Sequence, residues 1–128
     1  TLAIQIEAKS AHSETFGTRN NLAMLLMREG DLAGAEREFI QVIGLATENL
    51  GAEHPYVLIF SNNYGECLTL MHRYADAEPL LLRTQAALSK LMGADNPRVL
   101  KARARLADLY DRMRRPQSAA EWRQAPAA

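Results

Sequence analysis

The sequence predicts an all-α protein, an α-solenoid in which about seven helices pair as antiparallel hairpins and stack side by side. Three observations predict this fold class. The phrase "LGAEHPYV" at residues 50–57 returns as "MGADNPRV" at residues 92–99, which sets a 42-residue repeat. Apolar residues recur with a helical period in each repeat unit, and the breaks between helices are short. Stacked units of this kind bury their apolar faces against their neighbours.

The repeat register extends along the chain without a gap. One 42-residue shift places Asn20–Asn21 on Asn62–Asn63, and a second shift places Leu22–Ala23 on Leu106–Ala107. We expect the array to cover residues 1–123, with residues 124–128 as a frayed tail. Its expected units are the second helix of a truncated repeat with its joint (1–12), two full repeats (13–54 and 55–96) and a shortened last repeat (97–123).

Each full unit contains a first helix and a second helix. The breaks "EGD" at 29–31, "MHR" at 71–73 and "RRP" at 114–116 are too short for anything but antiparallel neighbours. One apolar stripe is predicted on each first helix, formed by Phe16, Leu22, Ala23 and Leu26, then Leu58, Tyr64, Gly65 and Leu68, then Leu100, Leu106, Ala107 and Tyr110.

The repeated phrase is predicted to be the joint between hairpins. Gly51 and Gly93 are expected to take the left-handed conformation that ends a helix without a steric penalty from Cβ. Asn96 can cap the following helix and Pro97 fits its first turn, where no backbone donor is needed. His54 is expected to do the same as a poorer cap.

Composition excludes several function classes. The formal net charge is zero, so no global field favours nucleic acid or an acidic membrane, and no apolar run approaches membrane-spanning length. Cys67 is the only cysteine, which suits a reducing compartment, and we expect a cytoplasmic protein. The three histidines are scattered, Cys67 aligns with leucines, and no phosphate loop or nucleophile motif occurs. We therefore expect no enzyme, no catalytic residue, no cofactor and no metal site.

The small residues identify a family resemblance. Leu22–Ala23 with Leu26, followed by Gly30, Ala35 and Phe39, resemble the tetratricopeptide repeat (TPR) pattern. The 42-residue unit, with "NNLA" in a first helix and an LG-acid-His-Pro joint, resembles the kinesin light chain type of TPR. Ala104–Arg105 depart from it by replacing the Asn pair. The resemblance implies a right-handed superhelix whose first helices line a concave groove that binds a peptide of a partner protein.

The helical period then indicates which groove residues lie off the apolar stripe. Asn side chains at one height on successive helices are expected to pair with the backbone of an extended ligand, although Asn residues that simply face water are the plain alternative. Replacing Asn21 and Asn63 by Ala is expected to weaken peptide binding without unfolding the array. The candidate groove residues are Asn20, Asn21, Met24, Arg28, Asn62, Asn63, Glu66, Lys101, Arg105 and Asp108.

A sharper hypothesis comes from TPR domains that bind a C-terminal carboxylate. The resemblance places Lys101, Arg105 and Asn63 at three positions of that binding set, whereas Asn20 and Met24 depart from it. Glu66 and Asp108 nearby would oppose a carboxylate.

Two alternatives to simple peptide binding stay open. The basic bias of the last third, from Arg98 to Arg123, indicates either a solvated end of the array or, less favoured, nucleic-acid binding. Similar arrays also occur in larger signalling proteins such as bacterial serine/threonine kinases, so the chain is alternatively a self-association or regulatory domain. Leu2, Ile4 and Ile6 lie on the helix expected at residues 1–8. Their apolar side chains would then pair with those of a second copy to give a homodimer.

Overall fold

The computed structural model describes residues 16–124, and this part of the chain consists of six α-helices without a strand. Helix α1 covers residues 16–28. The others are α2 (Leu32–Leu50), α3 (Pro55–Leu70), α4 (Tyr74–Met92), α5 (Pro97–Arg112) and α6 (Pro116–Arg123). Consecutive helices pack together, and α3 also contacts α5, the first helix of the next pair. The predicted all-α solenoid is confirmed, while the helix expected at residues 1–8 lies outside the described residues.

The three hairpin turns share one backbone geometry at equivalent positions of the repeat. Gly30, His72 and Arg114 have φ values of +88°, +62° and +60°. In each turn this residue's amide bonds the carbonyl three residues before it, and the next amide bonds the carbonyl five residues before it. This is the Schellman arrangement, which satisfies the last carbonyls of a helix. His72 and Arg114 adopt it despite the Cβ that disfavours a positive φ.

The joints between repeats match the prediction in part. Gly51 and Gly93 have positive φ values of 92° and 91°, but their ψ values of 152° and 153° are extended. The predicted left-handed φ is therefore present at both residues, and the extended ψ places them in a region that is essentially restricted to glycine and not in the left-handed helical region. His54 caps α3 as Asn96 caps α5, since each side chain accepts a hydrogen bond from the amide two residues later.

Close packing within a hairpin depends on one glycine. Gly65 of α3 faces Leu81 of α4, and a Cβ at Gly65 would lie 2.4 Å from the Leu81 Cδ2 atom. Leu81 is fully buried in the cluster that α3, α4, α5 and α6 share. Cys67 is fully buried as predicted, and burial raises the pKa of its thiol to about 11. Ala23 and Ala107, the equivalents of Gly65 in the repeat register, are also buried small residues.

The prediction of one apolar stripe per first helix is wrong. Helix α3 is buried on more than one side because it packs against α2, α4 and α5. Three polar residues that were predicted to lie off the apolar stripes are buried. Two residues that were predicted to lie on the stripes of α1 and α5 are exposed. The buried residues are Asn62, Asn63 and Arg105, and the exposed ones are Leu22 and Leu100.

Candidate functional site

A ladder of side-chain hydrogen bonds joins the first helices of successive repeats. Asn63 Nδ2 on α3 donates to Asn20 Oδ1 on α1 at 3.1 Å. One repeat later, Arg105 Nη1 on α5 donates to Asn62 Oδ1 on α3 at 2.8 Å. Residues 63 and 105 are equivalent in the repeat register, as are residues 20 and 62. The "NN" pair is therefore bonded from repeat to repeat, and Ala104 brings no acceptor to continue the ladder beyond α5.

Arg105 is the centre of this ladder. Its Nη1 also donates to Asn63 Oδ1 at 2.8 Å, and its Nε donates to Glu66 Oε2 at 2.5 Å. The residue is only 8% exposed, and its Nη2 is buried without a hydrogen-bond partner in the described part of the chain. Burial lowers the pKa of Arg105, and the Glu66 carboxylate opposes that shift. Because an arginine pKa starts so high, the guanidinium stays charged.

Asn62 is fixed from its other side by the second helix. Its Nδ2 donates to Thr84 Oγ1 of α4 at 2.8 Å, and the Thr84 hydroxyl donates to the Leu80 carbonyl at 2.8 Å. Thr84 is fully buried and Asn62 is 2% exposed. Both ends of the Asn62 amide are thus engaged within the protein. Asn21 differs, because it is exposed and makes no side-chain hydrogen bond within residues 16–124.

The concave side of α1, α3 and α5 contains a cavity of about 360 Å³, here called the cationic pocket. Four basic side chains and no acidic side chain line it. Arg28, Arg98 and Lys101 make no ion pair within the described residues, and Arg105 supplies the fourth charge. The lining consists of Asn20, Asn21, Met24, Leu25, Arg28, Ile59, Asn62, Asn63, Leu88, Arg98, Lys101 and Arg105.

A second cavity adjoins the first and is more apolar. This aromatic pocket has a volume of about 250 Å³ and is lined by Gly17, Asn20, Tyr56, Ile59, Phe60 and Arg98. It shares Asn20, Ile59 and Arg98 with the cationic pocket. The rings of Tyr56 and Phe60 stack with centroids 6.2 Å apart, and Tyr56 is 47% exposed. An apolar side chain can therefore lie beside the basic cluster.

A third cavity, the mixed-charge pocket, lies on the other side of Arg105. Its volume is about 250 Å³, and it is lined by Glu66, Thr69, Lys101, Ala104, Arg105 and Asp108. Asp108 forms an ion pair with Arg112 at 2.9 Å within α5. The cationic and mixed-charge pockets together contain all ten residues that the sequence indicated, so the structure brings the whole candidate set onto one face.

Sequence reasoning missed Tyr56 and Arg98 as pocket residues. Both directly follow the proline of a joint, so they are equivalent in the repeat register. A residue in the first turn of a first helix lies at the rim of the concave face, and that position was the available signal. Ile59 was not among the candidate residues either, and it lines two of the pockets.

Comparison with known families decides the assignment. Models of the tetratricopeptide repeat match residues 15–56 and 56–124, which together cover most of the chain. The chain belongs to the TPR family. No curated protein sequence matches it significantly.

Solved structures of TPR proteins have the same fold. BtubC (BKLC) from P. vanneervenii matches with a TM-score of 0.72 over 88% of this chain at 22% identity. A Podosopora anserina protein with nearly identical TPR-like repeats, assigned as a kinesin light chain, matches with a TM-score of 0.67 over 93% of this chain at 23% identity. This chain spans 47% and 58% of their lengths. The predicted resemblance to kinesin light chain-type repeats is thereby confirmed.

TPR repeats form protein-interaction scaffolds, and the repeat is typically non-catalytic. Within residues 16–124, no helix is both long enough and apolar enough to cross a bilayer. The same residues contain no group of three or more His, Cys, Asp or Glu side chains placed to bind a metal ion. The pockets on the concave side are therefore the candidate interaction surface of this TPR array.

In α6, the last helix of residues 16–124, Trp122 packs on the core that α6 shares with α5. It contacts the cluster formed by α3 to α6, and the Arg103 guanidinium lies 5.0 Å from its ring centroid. Several arginines of this basic third are bound to acids, since Arg105, Arg112 and Arg123 pair with Glu66, Asp108 and Asp111. Arg98 and Lys101, in contrast, face the concave side.

Proposed function

We propose that this TPR array binds a peptide segment of a partner protein in the concave groove, with an anionic group of that peptide in the cationic pocket. The observation that carries the proposal is a cavity lined by four basic side chains and no acid. Arg28, Arg98 and Lys101 make no ion pair within the described residues, so their like charges repel each other around the cavity, and an anionic ligand relieves that repulsion while gaining several favourable contacts.

The groove residues have different roles in this proposal. Lys101, Arg98 and Arg28 contact the anionic group, and the free amide of Asn21 bonds the peptide backbone. The aromatic pocket takes a neighbouring apolar side chain. Asn20, Asn62 and Asn63 act indirectly, because their amides already bond one another and Arg105.

The test is a binding titration with two labelled peptides of opposite charge, hexaglutamate and hexalysine. We expect the protein to bind hexaglutamate, with an affinity that falls as ionic strength rises, and not to bind hexalysine. Lys101→Ala should weaken hexaglutamate binding about three- to tenfold. Lys90 is an exposed lysine on α4 away from the pocket, so Lys90→Ala is the matched control and should bind as the wild type does.

Two outcomes would count against the proposal. Equal affinity for the two peptides would show that the basic cavity does not select the ligand. An equal effect of the two lysine substitutions would show that net charge, and not the pocket, drives binding. Free-acid and amidated versions of hexaglutamate then separate a terminal carboxylate from side-chain carboxylates, which tests the role suggested for Lys101, Arg105 and Asn63.

The alternative, a self-association or regulatory domain of a larger signalling protein, depends on residues 1–8. These residues lie outside the described part of the chain, and nothing within residues 16–124 favours a homodimer over peptide binding. A cytoplasmic location is part of the proposal, because the single cysteine suits a reducing compartment.

A further inference from the structure

The Glu66 carboxylate forms an ion pair with the Arg105 guanidinium within the protein. Its carboxylate lies 2.5 Å from Arg105 Nε, and its side chain is 32% exposed on the mixed-charge pocket. Arg105 lines both this pocket and the cationic pocket. A carboxylate fixed on one side of a guanidinium cancels part of the field on the other side. Glu66 therefore weakens the attraction between the cationic pocket and an anion.

The repeat register indicates that the fold does not require an acid at this position. The equivalents of Glu66 are Met24 in the first repeat and Asp108 in the third. In the first repeat, the ladder bond from Asn63 to Asn20 forms although Met24 brings no carboxylate. A charged residue at position 66 thus occurs together with a charged residue at position 105, whereas the equivalent pair, Met24 and Asn63, is uncharged.

We propose that Glu66 is a specificity-determining residue of the groove, which lowers its affinity for anionic ligands by neutralising Arg105 internally. The inference rests on the proposed binding of an anionic peptide. Its consequence is selectivity: a ligand must contact Arg98, Lys101 and the aromatic pocket as well, because the Arg105 charge alone is already compensated. A groove without Glu66 would bind acidic peptides more tightly and with less discrimination.

Glu66→Gln tests this directly. Glutamine keeps an oxygen that accepts the hydrogen bond from Arg105 Nε, and it removes the negative charge. We expect the affinity for labelled hexaglutamate to rise about two- to tenfold at low ionic strength, with a steeper salt dependence. Glu48 is an exposed acid on α2, so Glu48→Gln gives the same change in net charge and should leave the affinity unchanged.

A second measurement keeps the test independent of peptide binding. The Nε–H resonance of Arg105 can be followed by NMR while inorganic phosphate is added to the wild type and to Glu66→Gln. The expected result is a shift at lower phosphate concentration in the variant. Identical phosphate responses, or a hexaglutamate affinity that is unchanged or reduced in a Glu66→Gln protein with wild-type helicity, would overturn the role of Glu66. If the wild type fails to bind hexaglutamate while the phosphate responses differ as expected, the peptide proposal fails and the role of Glu66 stands.

Discussion

Helix α3 meets two neighbours in two different ways. Against α4, inside its own repeat, the contact is close and mainly apolar, with Gly65 facing the side chain of Leu81 and one buried hydrogen bond from Asn62 to Thr84. Against α5, in the next repeat, Arg105 donates to three acceptors on α3, which include Asn62 and Glu66. The first contact depends on shape, and the second depends on every polar partner being present. The polar contact also lies on the concave face, so the surface proposed to bind the ligand is the one that joins the repeats.

The largest expected effect comes from removing the centre of the polar contact. Arg105→Ala leaves Glu66, Asn62 and Asn63 without their shared donor, and Asn62 and Asn63 are almost fully buried. We expect the free energy of unfolding to fall by about 3 kcal/mol, because breaking a buried charge pair strands its partners. Urea denaturation followed by circular dichroism measures the change.

Asn21→Ala is the matched control, since residue 21 is equivalent to residue 105 in the repeat register but is exposed. Its effect should stay within about 0.5 kcal/mol. If both variants unfold at the wild-type urea concentration, the ladder does not hold the repeats together. The two Asn substitutions suggested by the sequence are thereby expected to differ: Asn63→Ala should destabilise the array, whereas Asn21→Ala should change only the groove.

The apolar contact is expected to be less costly to disturb. A Cβ at Gly65 would lie 2.4 Å from Leu81 Cδ2 and 2.8 Å from its Cγ, so α4 must shift or Leu81 must change rotamer. Overpacking of a buried site costs about 1–3 kcal/mol, and the better helix propensity of Ala offsets about 1 kcal/mol. We expect Gly65→Ala to be destabilising by about 1 kcal/mol in urea denaturation.

Gly44→Ala is expected to have the opposite effect on stability. Gly44 lies within α2, and a Cβ added there would have no neighbour within 4 Å, so only the propensity gain applies. This variant should be about 0.5–1 kcal/mol more stable than the wild type. Stabilisation by both alanines would mean that Leu81 adapts freely and that the close approach at Gly65 is not required.

Much of the fold could be predicted from the sequence because short sequence patterns mark the start and end of each helix in the repeat. Pro97 after Asn96 starts a helix, the short breaks force antiparallel pairs, and one constant shift places every unit. Burial could not be predicted with one stripe per helix. The extent of burial on α3 depends on how many helices surround it, and that number is a property of the stack.

The candidate site was predictable as a face but not as a set of roles. The register placed Asn62, Asn63 and Arg105 near the groove, and they do line it. Whether a polar side chain faces a ligand or bonds a neighbouring repeat depends on side-chain distances across the interface. The Arg105–Asn62 bond joins residues 43 positions apart, a separation that no local pattern reveals.

The smallest effect is expected at two hydrogen bonds that also cross between repeats but do not involve Arg105. Tyr64 OH donates to Glu36 Oε2 and Tyr110 OH donates to Glu78 Oε2, each at 2.7 Å. Burial, and then these carboxylates, raise the pKa of both tyrosines from 10.0 to about 12. Because the pKa of each tyrosine is higher in the folded protein than in the unfolded chain, this stabilisation is complete below pH 10 and is lost as the pH rises towards 12.

The stability difference between the wild type and the Tyr64→Phe/Tyr110→Phe double variant in urea should therefore be constant from pH 7 to about pH 9.5 and shrink above pH 10. A difference that grows above pH 10 would mean that the hydroxyls do not donate to these glutamates, and the contacts between repeats would then rest on the Arg105 ladder and apolar packing.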